Sequence, residues 1–485
     1  MRTRRRYQRG GGGEGGPNGA ASAASTPTNT SASAASTPTN TSASVASNAS
    51  AARAKWEKEN PVTLVQGTRP YDIMSALYGE HSVGKGILGF LNTKNASSLR
   101  AVAKEMKNEV TEFQWDDMNT VVKGSLAKWR KAFPSAIGIN ISARHDLTDA
   151  DFVHLRGIKH VKMVNCDQSE ITDAAFAHLE GIKTLNMSGC RQITDAAFVH
   201  LKGIHTLDMS ACRQITDAAF THLKGIHTLN MSHCNQITDA AFVHLKGIYQ
   251  LDMSRCNQIT DAAFTHLKGI HTLNMSYCNQ ATITDAAFAH LEGIHTLNMT
   301  YCHQATITDA AFVHLEGIHT LDMKYCNQIT DAAFTHLKGI HTLDMSFCNQ
   351  PTITDTAFVH LKGIDTLIMS FCRQSTITDA AFANLEGVHT LYMARCDQST
   401  ITDAAFAQLK GIKYLFMTGC DQSTITGATI FPNLCGAIYI ETTGCRQKVK
   451  DAAKRVLDGT SCNASKGGSR KRRRRSNKYK SRRRR

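Results

Sequence analysis

Thirteen of the fifteen cysteines in this 485-residue chain, from Cys166 to Cys445, recur at near-constant steps of 22 to 25 residues. Thiols spaced in this way could serve a metal, a set of disulfides or a stack of buried side chains. The sequence contains no Cys-x-x-Cys pair to suggest zinc. No apolar signal segment opens it, which points to a reducing compartment and free thiols. Histidines recur too, in one column running His154, His178, His200 to His360 and in another that includes His205, His227, His271 and His341. Columns repeated in every copy read as duplicated, solvated rim positions rather than as ligands, so no metal is expected. Every Ser, His and Asp of the region is likewise repeated, and no nucleophile has a base and an orienting group of its own. Gly79-Glu-His-Ser-Val-Gly84-Lys85-Gly86 nearly spells a phosphate-binding loop, but Gly86 stands where a hydroxyl would hold magnesium, and no apolar strand precedes it. The chemistry-bearing residues therefore imply no enzyme and no cofactor.

What positions these residues is a repeat. An apolar residue followed by Thr-Asp recurs at Ile193, Ile215, Ile237 and Ile259, and the series continues to Ile425 in steps of 22 or 24. The longer step adds two residues at one place, as in Gln280-Ala-Thr-Ile283, and that place must be a loop. A period in the twenties means a solenoid, because one unit cannot bury its apolar face alone. In Leu229-Asn-Met231 apolar and polar residues alternate, which predicts a strand with one buried face. Thr238-Asp239 suits a helix start, Phe242 and Leu245 share one face of a helix of about two turns, and Gly247 suits its close. Stacked rungs would hold the thiols roughly 5 Å apart as small apolar fillers.

The pattern Leu-x-x-Ile-x-x-Leu-x-Met-x-x-Cys-x-x-Ile-Thr-Asp resembles the cysteine-containing leucine-rich repeat family. That resemblance implies a right-handed α/β solenoid of about a dozen full rungs over residues 147–448. Past Ile425 the pattern decays, with Gly427 in place of the Asp and Phe431-Pro432 intruding. Residues 449–465 then read as a polar-faced terminal cap.

Ahead of the array, residues 54–146 do not repeat. Leu99, Val102, Ala103, Met106 and Val110 follow helical spacing behind an Asn95 cap. Val122, Leu126, Trp129 and Phe133 mark another helix stopped by Pro134, and Ile139-Asn-Ile141 reads as the strand of an incomplete first rung. The run from Ile87 to Trp115, with Leu-Arg-x-Val-x-Lys at Leu99, resembles an F-box. It departs from that pattern at Gly79-Glu80, where Leu-Pro is usual, and at Met106, near which a Trp is usual. The resemblance implies that Ile87, Leu88, Leu91, Leu99, Val102 and Met106 pack the module or meet the helix of a Skp-type adaptor. Near-identical copies behind such a module resemble the expanded F-box and repeat proteins of large DNA viruses of protists and of some protists.

The formal net charge of +15 lies in the ends: residues 466–485 carry 13 Lys and Arg and residues 1–9 carry five, leaving 37 basic against 40 acidic in the body. Residues 1–53 are Arg-, Gly- and then Ser/Thr/Ala-rich, too poor in apolar residues to fold, and both ends are expected to be disordered. Basic runs of this kind serve nuclear import or nonspecific nucleic-acid binding, which implies a nuclear or nucleocytoplasmic protein. No run of some 18 apolar residues predicts a membrane span.

These features imply a substrate-receptor subunit of a cullin ubiquitin ligase that holds an unnamed protein target on the concave face of the repeats. The rival is an interaction scaffold with no ligase attached, whose tails associate with nucleic acid. In either case one column escapes repetition, the position before each Cys: Gly189, Ala211, His233, Arg255, Tyr277, Tyr301, Tyr325, Phe347, Phe371, Arg395, Gly419. Thr272, Asn274, Ser276 and Tyr277 are expected to face outward. The five aromatics would span on the order of 20 Å. Tyr and Arg dominate binding hot spots, so Arg255 to Arg395 is the expected target track; mutual stacking to brace the rim is the plainer use of the same rings.

Overall fold

The structure, a computed structural model, describes residues 92–99, 104–427 and 431–459. They all belong to one compact unit, Gly79–Arg485. Ile87, Leu88, Leu91 and Val102, the stretch Gly79 to Gly86 and both basic ends lie outside the described residues. Leu99 and Met106 fall within helices, with their side chains outside the description.

The described residues form one parallel sheet of fifteen strands in strict chain order, from β1 (Asp116–Val121), β2 (Gly138–Asn140) and β3 (His160–Lys162) to β15 (Tyr439–Glu441). Most strands are three residues long, because each copy offers only one short alternating run. Register follows the repeat, with Thr272 opposite Thr296, Leu273 opposite Leu297 and Asn274 opposite Asn298. Equivalent residues therefore stack on themselves, and each position of the repeat becomes a continuous row. The expected α/β solenoid is observed.

The helical part of a rung varies. Asp239–His244 makes the expected two turns in tight 3-10 rather than α geometry, whereas Asp261–Phe264 is a single α-turn. A rung of 22 residues must also hold a strand and two turns, and Gly247, at φ +85°, already swings the chain back toward the sheet. The expected cap is present, with Thr260 Oγ1 accepting from Ala262 N at 3.2 Å.

Inside the circuit Ile259, Ala263, Phe264, Leu267, Ile270, Leu273, Met275 and Cys278 are all buried, and the same eight positions recur rung after rung. Full burial of a large apolar side chain is worth ~1.5–3 kcal/mol, but it is reached only when neighbours lie on both sides. The ends are closed accordingly. On the N-terminal side lie α1 (Thr93–Leu99), α2 (Lys104–Glu112) and α3 (Leu126–Ala132). Trp115 packs edge-on to Phe133 with ring centres 5.7 Å apart, and its indole N–H donates to Val110 O at 2.8 Å.

Two local expectations are corrected there. The helix α1 begins at Thr93, whose amide and hydroxyl both donate to Asp117 at 2.8 Å, so Asn95 falls inside it rather than ahead of it. Val122 precedes α3 rather than lying in it. At the other end helix Gln447–Leu457 lays Val449, Ala452, Ala453 and Val456 against the last rung.

Candidate functional site

Four rows of side chains run along the array, and each is set by one backbone position. The row before the Cys occupies a left-handed turn: Arg255, Tyr277, Tyr301, Tyr325, Phe347, Phe371 and Arg395 have φ between +57° and +61°. Non-glycine residues adopt this region rarely. Because every copy holds the same dihedral angle, successive side chains leave the backbone in parallel. The rings stack face to face: Tyr277 on Tyr301 at 4.5 Å, Tyr301 on Tyr325 at 4.0 Å, and Tyr325 on Phe347 and Phe347 on Phe371 at 4.3 Å each.

At one end the Arg255 guanidinium lies 3.8 Å over Tyr277; at the other Arg373, outside the expected row, lies 5.6 Å over Phe371. Arg395 leans onward instead, so that a Cβ on Gly419 would meet its Nε at 2.7 Å, which accounts for the glycine there. The expected track is thus brought together as one stack. It presents ring edges and hydroxyls to a partner, because its faces are spent on one another.

A second stack precedes the strands: His205, His227, Tyr249, His271, His295, His319 and His341, at 4.4 to 4.8 Å. The Nδ1 of His271 lies 3.1 Å from Thr272 Oγ1, and the other histidines of the row repeat this contact. Asp365 interrupts the row and sits 2.6 Å from His389 Nδ1. Burial opposes its charge, but hydrogen bonds from His389 and Thr366 hold its carboxyl below the usual carboxylate range. The helical histidine column lies at the rim, where His314 meets Glu292 and His336 meets Glu316. Among the described residues no three His, Cys, Asp or Glu side chains are grouped to hold a metal ion.

The third row is the cysteines, all thirteen free and buried. Cys166 Sγ reaches back to Ile141 O at 3.2 Å, and each later thiol reaches a methionine carbonyl, as Cys278 Sγ does to Met253 O at 3.3 Å. Burial pushes the thiols of Cys190, Cys278 and Cys348 up to about 12, which suppresses the thiolate that nucleophilic or metal chemistry needs. Cys435, outside the row, is disulfide-bonded.

The fourth row is the last residue of each strand, between the buried Leu and Met, on the outward face. Thr272 and Asn274 are half-buried there, but Ser276 is 8% exposed, covered rather than offered as expected. From Asn186 through Asp344 this row is Asn or Asp, bonded laterally at several steps: Asn186 Nδ2 donates to Asp208 at 3.0 Å, Asn274 Nδ2 to Asp252 at 2.9 Å, and Lys324 bridges Asp322 and Asp344 at 2.6 and 3.1 Å. Burial disfavours the Lys324 ammonium, but the two carboxylates outweigh it and raise its pKa. From there on the row becomes Ile368, Tyr392 and Phe416. The rings of Tyr392 and Phe416 lie parallel at 4.1 Å, with Tyr439 5.5 Å from Phe416. Sequence reasoning missed this aromatic patch; its signal was the residue between Leu and Met, at Leu391-Tyr-Met and Leu415-Phe-Met.

Residues 148–271, 247–364 and 305–438 match the BspA type leucine-rich repeat region, in six copies. The chain belongs to that leucine-rich repeat family. No curated protein matches its sequence. Among solved structures, a chain of the Drosophila Toll–Spatzle complex is 15% identical with a TM-score of 0.50, over 66% of this chain and 49% of that one. A chain of the mouse RP105/MD-1 complex is 13% identical with a TM-score of 0.48, over 71% and 60%. A chain of the yeast Rad7–Elc1 complex is 13% identical with a TM-score of 0.43, over 78% and 98%. The chain spans about half the length of the Toll-complex chain, and at such identities the likeness is one of fold alone. Leucine-rich repeats of this kind are protein-binding surfaces. Among the described residues no helix is long and apolar enough to cross a membrane.

Proposed function

We propose that the chain is a substrate receptor of a cullin ubiquitin ligase, with no chemistry of its own. It docks a Skp-type adaptor through Ile87, Leu88, Leu91, Leu99, Val102 and Met106. It holds a protein target along the edge of the Arg255 to Arg395 track. The observation that carries this reading is the juxtaposition in the sequence: an F-box-like run ends at Trp115, where the repeat sheet begins. The testing experiment is a pull-down of the full chain with purified Skp-type adaptor. Retention at micromolar concentration is expected, with loss on Leu88→Asp; no retention overturns the ligase link.

A second reading is favoured by the departures at Gly79-Glu80 and Met106, which fall partly on the adaptor-facing surface of an F-box. In it the chain is an interaction scaffold without a ligase. Target abundance in cells lacking the protein separates the two, because only a ligase receptor predicts that its target accumulates. In both readings the segment 466–485 directs the chain to the nucleus and adds salt-dependent, nonspecific affinity for nucleic acid, since each neutralised phosphate releases counterions.

A further inference from the structure

The residue before the glycine of each rung is sorted by charge along the array. It is Lys in four successive rungs, Lys202, Lys224, Lys246 and Lys268, with Glu180 ahead of them and Glu292 and Glu316 behind. The glutamates are engaged by the helical histidine column, Glu180 with His200, Glu292 with His314 and Glu316 with His336. The four lysines are exposed, and none of them has an ion-pair partner among the described residues. The rungs here stand 4.6 to 4.8 Å apart, the spacing of the stacked rings of His205, His227 and Tyr249. Neighbouring lysines of the row therefore fall within one screening length of each other, ~8 Å at physiological salt, and their potentials add.

A second row lies against this one. Lys159 Nζ donates to Gly181 O at 3.3 Å and Lys183 Nζ to Gly203 O at 3.2 Å, so side chains just ahead of the strands reach the glycines of the next rung. In the same rungs that row runs Lys159, Lys183, His205, His227, Tyr249 and His271. Where the two rows meet lies an open depression of about 490 Å³, lined by His160, Lys183, Thr184, His205, Gly203 and Gly225. Lys202 and Lys224 directly precede those two glycines. The carboxylate nearest His160 is Asp116, already 2.8 Å from its Nδ1. Such a rim calls for a polyanion, and the ring stack decides its kind. His205, His227 and Tyr249 spend their faces on one another, so bases find no face to stack on. Nδ1 of His205 lies 3.3 Å from Thr206 Oγ1, which leaves Nε2 as its free ring nitrogen. Ammonium groups and a ring nitrogen suit carboxylates, which need no open ring.

We propose that the rim formed by Lys183, Lys202, Lys224, Lys246 and Lys268 binds an acidic, extended segment of a protein partner, with one carboxylate seated in the depression beside Lys183 and His205. Side chains on one side of an extended segment repeat every ~6.6 Å, a spacing that flexible lysines on adjacent rungs can follow. The inference rests on the protein-binding character of the repeats. It depends neither on the adaptor nor on the Arg255 to Arg395 track, which follows the strands where this rim precedes them.

Charge reversal at matched positions of the same row separates a site from net charge. The probes are a fluorescein-labelled ten-residue polyglutamate and a 12-nucleotide poly-dT, each titrated with the full chain by anisotropy. Lys183→Glu/Lys202→Glu/Lys224→Glu should weaken polyglutamate binding at least tenfold. Lys338→Glu/Lys362→Glu/Lys410→Glu changes the net charge equally in rungs that already carry Glu316, Asp365 and Glu386, and should weaken it less than twofold. Lys202→Glu/Lys224→Glu leaves the Lys183 bond to Gly203 intact and should still cost at least threefold, with thermal unfolding like that of the parent. Tyr301, Tyr325 and Phe347 changed together to Gly should leave polyglutamate binding unchanged, so failure of the track and failure of the rim are told apart. Equal losses in the two triple-Glu variants would reduce the effect to net charge and overturn the site. A loss of poly-dT binding as large as that of polyglutamate in the Lys183, Lys202 and Lys224 variant would make the rim a nucleic-acid strip and overturn its occupant.

Discussion

Asp261 and Thr284 belong to successive rungs and are joined by two hydrogen bonds: Asp261 Oδ1 accepts from the Thr284 amide at 2.7 Å and Oδ2 from its hydroxyl at 2.6 Å. The same hydroxyl accepts from Ala286 N at 3.2 Å, so one threonine caps its own helix and receives the previous one. The pair recurs from Asp149 with Thr172 to Asp403 with Thr426, in short and long rungs alike. The two-residue insertion is thus absorbed in the loop before the Ile, without disturbing this joint.

Removing that carboxylate leaves two donors unpaired at a rung junction. Asp261→Ala is expected to destabilise the array by about 1–3 kcal/mol, read from urea unfolding. Asp261→Asn, which retains one acceptor, should lose less. Equal stability of parent and Ala variant would mean that the joint contributes nothing beyond solvent.

The cysteine row predicts a pH dependence at the alkaline end. A thiol ordinarily titrates near 9.0, and Cys278 is pushed up to about 12 by burial. Below pH 9 both states keep the proton and the row contributes fully. Between 9 and about 12 the unfolded chain releases protons that the folded row retains, so stability falls as pH rises, by up to ~1.4 kcal/mol per thiol per pH unit. Denaturation midpoints at pH 8 and 10.5 test this. A thiol-specific chromogenic reagent at pH 8 should find the thirteen ladder thiols unreactive until the chain is unfolded.

The aromatic stack rests on a left-handed backbone, and this fixes the order of two substitutions. Tyr325→Ala loses two ring contacts, each worth about 0.5–1.5 kcal/mol, and keeps a Cβ at φ +61°. Tyr325→Gly loses the same contacts but relieves the backbone by roughly 1 kcal/mol. The glycine variant should therefore be the more stable by thermal unfolding, reversing the usual ranking of Ala over Gly.

For the target, Tyr301, Tyr325 and Phe347 changed together to Gly should abolish capture while circular dichroism and adaptor binding stay those of the parent. Unchanged capture would place the target elsewhere on the solenoid. Single changes should cost less than tenfold each, because the neighbouring ring edges remain in place.

Much of this protein was legible in one copy of its repeat. The spacing of Ile259, Phe264, Leu267, Leu273 and Met275 already separates inside from outside, and burial confirms each of them. The fixed place of Cys278 is enough to expect a row of inert thiols. The track from Arg255 to Arg395 was visible because duplication makes any unrepeated column stand out. What one copy does not contain is the distance to the next. The rise between rungs decides that Tyr301 and Tyr325 lie 4.0 Å apart with their faces consumed, that Arg373 rather than Arg395 closes the stack, and that Asp261 bonds Thr284. It also brings Tyr392 and Phe416 into parallel contact, though they stand 24 positions apart in the chain. Sequence patterning sets which side of the sheet a residue faces, because that follows from alternation along one strand. Lateral partners follow from register between strands, and only the assembled sheet fixes that.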